Sequence, residues 1–147
     1  GLALAAACDL RIATAASRFG VPIARTLGNC LSMDTQALLV AHLGAARTLD
    51  MLLRARLLDA AEMHATGFVG QLVADADGLD AELAATVAAL AGHAPLTMWA
   101  SKQAVTRLRR AAIPDGDDLV ERVYGSADFA AAVRSFGSRE RPTWQGR

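Results

Sequence analysis

The chain has 147 residues, a length that one domain can fill with a single core, and its 15 basic and 15 acidic residues cancel to a formal net charge of zero. No global field therefore favours nucleic acid or an anionic membrane surface, and neither is expected as a partner. Hydrophobic residues make up 53% and aromatics only 5%, the composition of a helix-rich chain with a small-residue aliphatic core.

No apolar run approaches the roughly 20 residues of a membrane span, and the first residues lack the basic flank of a signal peptide. Cys8 and Cys30 have no metal-ligand spacing, so no metal is expected, and two such thiols read as reduced and cytoplasmic.

In chain order, Leu2 to Ala7 are all Leu or Ala, which predicts a helix apolar on every side and therefore buried. Leu10 to Ala13 reads as a brief strand, and Phe19-Gly20-Val21-Pro22 as an extended turn before proline. Ile23 to Leu31 is expected to be an irregular loop, with Gly28 supplying backbone freedom. Ser32 caps a helix to about Leu43, Gly44 ends it, and a second helix follows from Ala45 to about Arg54.

Arg56 to Leu58 is short and extended, and Asp59 with Glu62 has capping-box spacing for a short helix ending at Gly67. Phe68 to Val73 reads as a strand. Asp77 is expected to cap an amphipathic helix, Leu79 to Ala91, with Leu79, Leu83, Val87 and Leu90 at helical spacing. Pro95 suits the first turn of a helix to about Ala111 whose last turn carries Arg107, Arg109 and Arg110. Asp117 to Tyr124 is a further helix, Gly125 a stop, Ser126 the cap of a last helix to about Phe136, and Gly137 to Arg147 an irregular tail.

The residues alone give no self-evident active site. His42, His64 and His93 lie on separate segments and read as surface or satisfied histidines, while Ser32 lacks the glycines of a nucleophile elbow. Cys30, beside Asn29, is nucleophilic only if a cation lowers its pKa, and packing is the favoured role. Arg107, Arg109, Arg110 and Lys102 read first as a solvated helix end and second as a phosphate contact.

The stretch GLALAAACDLRIATAASRFGVP closely resembles the central motif of the crotonase superfamily, the enoyl-CoA hydratases and isomerases. There a glycine turn opens a buried helix, a Cys-Asp-Ile/Leu-Arg-Ile-Ala strand follows, and Phe-Gly-x-Pro-Glu closes the unit. Cys8 to Ala13 and Arg18 to Pro22 match nearly residue for residue, and Arg56 to Ala60 with the helix to Gly67-Phe68-Val69, Ala94 to Leu96 with Lys102 to Val105, Gly125 to Phe129, and Phe136 to Gly146 resemble later parts of the family.

The resemblance implies an α/β, helix-rich chain forming the C-terminal half of a ββα spiral fold. Residues 1–31 would be the end of the spiral core, with the oxyanion helix, a short strand and the active-site loop. Residues 32–147 would be the helical remainder and the oligomerisation region, with a homotrimer or hexamer implied. It further implies an acyl-CoA thioester as substrate, with no separate cofactor, and an oxyanion turn at Gly1. Pro22, Ile23, Arg25, Asn29 and Cys30 would be the substrate-binding positions.

Family hydratases place glutamates at the positions that read Ala3 and Ile23 here, and neither side chain moves a proton. Two functions are therefore expected of such a chain. One is an enoyl-CoA hydratase/isomerase type of enzyme that stabilises an enolate oxyanion. The alternative is a catalytically silent CoA-thioester binder or a helical oligomerisation module.

Overall fold

The computed structural model describes residues 1–111, 113–136 and 144–146. The Leu/Ala run forms α1, Leu2–Ala7, and the chain turns extended at Cys8. Leu2 and Ala6 are buried one turn apart, but Leu4 is 74% exposed. A helix buried on every side is thus corrected to a one-sided one: its Leu2/Ala6 face packs on the core, and among the described residues nothing covers the face carrying Leu4.

The next strand, β1 (Ile12–Thr14), pairs in parallel with β4 (Gln71–Val73), in the register Ile12 to Gln71, Ala13 to Leu72 and Thr14 to Val73. A second ladder pairs β2 (Arg18–Phe19) antiparallel with β3 (Leu58–Asp59). The strand expected over Phe68 to Val73 is shorter because Phe68 and Val69 bury their side chains as the chain bends, and pairing starts only at Gln71.

Between the strands lie α2 (Ile23–Thr26) and α3 (Met33–Leu53). α3 is broken at Gly44, whose φ of 74° and ψ of 159° are non-helical, so the two helices expected on either side of this glycine are present as two arms. Ser32 caps α3 through the Thr35 N–H, and Asp59 caps α4 (Ala60–Ala65) through the Glu62 N–H at 2.7 Å, both as their spacing predicts. α5 (Ala76–Ala91) is capped by Asp75 rather than Asp77 and so begins a turn earlier than expected; Asp77 sits in its first turn. Its stripe is only partly covered, since Leu83 and Val87 remain more than half exposed.

α6 (Pro95–Arg110), α7 (Asp117–Tyr124) and α8 (Ala127–Ser135) follow as expected, with Ser126 capping α8 through the Phe129 N–H at 3.0 Å. Most of the tail from Gly137 lies outside the described residues. Its described part, Trp144 to Gly146, is anchored where the Gln145 and Gly146 N–H groups each donate to the Asp128 carboxylate at 2.7 Å.

The core joins α1, β1, both arms of α3 and the segment around α4 through Leu2, Ala13, Leu39, Met51, Met63 and Phe68. Phe68 is its hub: Phe19 meets it edge-on with ring centroids 6.0 Å apart, and His42 does so at 5.5 Å. Among the described residues no single helix is long and apolar enough to cross a membrane.

Candidate functional site at the two ends of the first helix

Gly1 is the N-cap of α1, and its carbonyl accepts the Ala5 N–H at 3.0 Å. No side chain caps the helix, and a Cβ placed on Gly1 would meet nothing within 4 Å. Among the described residues no side chain accepts from the first N–H groups of α1. Ala3, the second residue of α1, is half-buried.

The segment after Pro22 is not the irregular loop expected. Pro22 presets the backbone at the N-cap, and its carbonyl accepts the Arg25 N–H at 3.1 Å and the Thr26 hydroxyl at 3.0 Å. One helical turn, α2, results. The Ile23 carbonyl then takes both the Leu27 and Gly28 N–H groups, and the left-handed Gly28 (φ 60°) ends the turn. Ile23 is half-buried at its start, and Arg25 is exposed without an ion pair among the described residues.

Asn29 and Cys30 are brought together, but on α7. The Asn29 Nδ2 group donates to the Tyr124 hydroxyl at 3.3 Å, and that hydroxyl donates to the Cys30 carbonyl at 3.4 Å. The Cys30 thiol points to the Leu119 carbonyl at 3.9 Å, with no hydrogen bond from a basic side chain among the described residues. Asn29 Oδ1 is buried and unpartnered there. No hydrogen bond or ion pair among the described residues joins Gly1 to Pro22, Ile23, Arg25, Asn29 or Cys30.

At the other end of α1 the structure brings His42, Lys102 and Arg109, each noted in the sequence, together with Arg11 and Asp9, which were not. The Arg11 guanidinium donates to the carbonyls of Cys8 and Phe68 and lies over the Phe68 ring, 4.6 Å from its centroid. Burial pulls it below its ordinary pKa, opposed by Cys8 and Asp9. The His42 Nε2–H donates to the Ala6 carbonyl at 3.1 Å. Burial first, then the charges of Arg11 and Arg109, push this imidazole below its usual pKa, against the Ala6 bond. Lys102 bonds Asp9 at 2.6 Å, which ties α6 to the end of α1 and raises the lysine pKa.

A signal for His42 was present, because Leu38, Leu39, His42 and Leu43 share the helical spacing of a core-facing stripe. A second histidine, His64, donates from Nδ1 to the Val69 carbonyl at 2.9 Å. Among the described residues no group of three or more His, Cys, Asp or Glu side chains is placed to hold a metal.

The paired short ladders, the glycine-started α1 and the helical sequel match solved proteins of crotonase fold. Over 99% of the chain and 59% of its own, an enoyl-CoA hydratase/isomerase structure from Pseudoalteromonas atlantica T6c superposes with a TM-score of 0.82 at 26% identity. A methylmalonyl-CoA decarboxylase in complex with 2-nitronate-propionyl-CoA superposes with a TM-score of 0.88 at 20% identity, covering 99% of this chain and 58% of that one, a likeness of fold alone.

In sequence, a probable enoyl-CoA hydratase of Mycobacterium bovis is 32% identical over 137 residues, 93% of this chain and 52% of that protein. The profile of the family described as Enoyl-CoA hydratase/isomerase matches residues 1–147. The chain belongs to the enoyl-CoA hydratase/isomerase family, and it spans about half the length of the mycobacterial relative.

Proposed function

We propose that the chain supplies the oxyanion-side part of an acyl-CoA thioester site, corresponding to the C-terminal half of the family's unit. In this reading residues 1–31 end the spiral core and residues 32–147 form the helical, oligomer-building remainder of a cytoplasmic homotrimer or hexamer. The observation that carries it is the match of the enoyl-CoA hydratase/isomerase profile to residues 1–147, in which Gly1 is the N-cap of α1. The donors are the free N–H groups of the first turn rather than a dipole, since six residues sum to little. A thioester carbonyl seated there gains hydrogen bonds as its oxygen takes on enolate charge, and that gain is larger in the transition state than in the ground state.

The proton-transfer half of the chemistry is where the chain departs from the family's hydratases. Ala3 on α1 and Ile23 at the start of α2 stand where those hydratases carry glutamates, and neither can activate water or return a proton. This favours a second reading, a thioester binder without hydration. Pro22, Ile23 and Arg25 on α2 then shape the acyl side, and Asn29 and Cys30 serve through backbone positioning by Tyr124.

Hydration of crotonyl-CoA by the chain and by its Ala3→Glu/Ile23→Glu variant tests the assignment. The reading expects binding in both, and a rate at least about a hundredfold higher in the variant, the scale of general acid–base catalysis. Equal rates, or hydration already fast in the unsubstituted chain, would contradict it.

A further inference from the structure

The two arginines at the end of α6 face a cavity that the thioester reading does not use. About 1040 Å³ in volume, it lies between the C-terminal end of α1, α3 and α6, with Leu90 of α5 at its edge. That volume is at the top of the range of small-molecule sites. Leu38, Leu90, Met98 and Val105 give it an apolar lining.

Its charges are unevenly matched. Lys102 is already paired with Asp9 at 2.6 Å. Arg109 and Arg110 both line the cavity, and neither guanidinium makes an ion pair or hydrogen bond with any described residue. Asp34 is the one lining carboxylate left to face them. Two free guanidinium groups against one carboxylate leave an excess positive charge beside an apolar wall. Burial first, and then the charges of Arg11 and Arg109, disfavour a proton on His42 in the same wall.

We propose that this cavity binds an amphipathic anion, a long-chain carboxylate whose alkyl chain lies along Leu38, Leu90, Met98 and Val105 and whose head pairs with Arg109 and Arg110. The apolar wall removes alkyl surface from water, and a guanidinium takes a carboxylate through two parallel hydrogen bonds. The site is separate from the proposed oxyanion donors. Gly1 does not line the cavity, and Ala6, the first α1 residue that does, is five residues further on, about 7.5 Å at the helical rise. The inference therefore stands whether or not the chain binds a thioester.

The test is calorimetric titration of the full chain with sodium dodecanoate below its micelle concentration, with Trp99, next to Met98 on α6, as a fluorescent reporter. One saturable site is expected, weakened about tenfold or more in the Arg109→Glu/Arg110→Glu variant, on the scale of one charge-assisted hydrogen bond. The Arg109→Lys/Arg110→Lys variant keeps the charge but loses the two-bond fork, and its affinity should fall between those of the unsubstituted chain and the glutamate variant. Both positions are on the exposed end of α6, and circular dichroism of the two variants separates lost binding from lost folding. Dodecanol binding as tightly as dodecanoate, undiminished binding by the folded glutamate variant, no saturable binding, or displacement by equimolar crotonyl-CoA would each overturn the proposal.

Discussion

Arg11 lies over the ring of Phe68 while its guanidinium donates to the Phe68 carbonyl, so one side chain holds both the face and the backbone of the core's central aromatic residue. The same guanidinium closes the end of α1 through the Cys8 carbonyl. Replacing Arg11 with Ala leaves both carbonyls without this donor and removes the cation–π contact. We expect a loss of about 3 kcal/mol in unfolding free energy by urea titration. Arg11→Lys should recover less than half, because an ammonium cannot fork to two carbonyls while lying flat on a ring.

His42 makes the fold pH-sensitive. Its folded pKa lies below the ordinary 6.5 because of burial and then the charges of Arg11 and Arg109. As pH falls, the unfolded chain takes up this proton first, so the folded state is fully favoured above 6.5 and penalised as pH drops toward the lowered value. The urea midpoint should fall between about pH 7 and about pH 5, and His42→Gln should flatten that fall. An unchanged slope in the variant would assign the sensitivity elsewhere.

Thr48 is 2% exposed in the second arm of α3, and its hydroxyl has no hydrogen-bond partner among the described residues. Valine has nearly the same shape without the stranded oxygen. Thr48→Val should therefore raise stability by about 1 kcal/mol, read as a higher thermal midpoint.

Gly28 combines a left-handed backbone with a crowded side: a Cβ there would come 2.7 Å from the Trp144 ring. Gly67 has the same handedness (φ 77°) with nothing within 4 Å. Alanine at either position should cost about 1–2 kcal/mol of backbone strain. Only Gly28→Ala should also move Trp144 and change tryptophan emission.

What the sequence made legible was local. Ser32, Asp59 and Ser126 act within one turn of themselves, so spacing alone located three helix starts. Gly44 was likewise readable, since only its own φ had to change. α2 was missed because a one-turn helix entered through proline carries no Ser, Thr or Asp cap signal. Asp75 and Asp77 could not be separated by pattern, because both precede the same apolar stripe.

The core around Phe68 was not legible at all. Arg11, His42 and Phe68 are far apart in sequence, and only the parallel pairing of β1 with β4 and the return of α3 bring them together. The one-sided packing of α1 escaped for the same reason, since an all-apolar helix does not say which of its faces will be covered. The motif from Cys8 to Pro22 pointed to the family, and Ala3 and Ile23 on either side of it raised the question of proton transfer.

We propose that the chain recognises an acyl-CoA thioester through the first N–H groups of α1. Calorimetric titration of the chain with crotonyl-CoA and, separately, with free coenzyme A tests this. Saturable one-site binding of the thioester is expected, and weaker binding of free coenzyme A, which lacks the carbonyl that the α1 N–H groups would receive. Equal affinity for the two, or no binding of crotonyl-CoA, would contradict it.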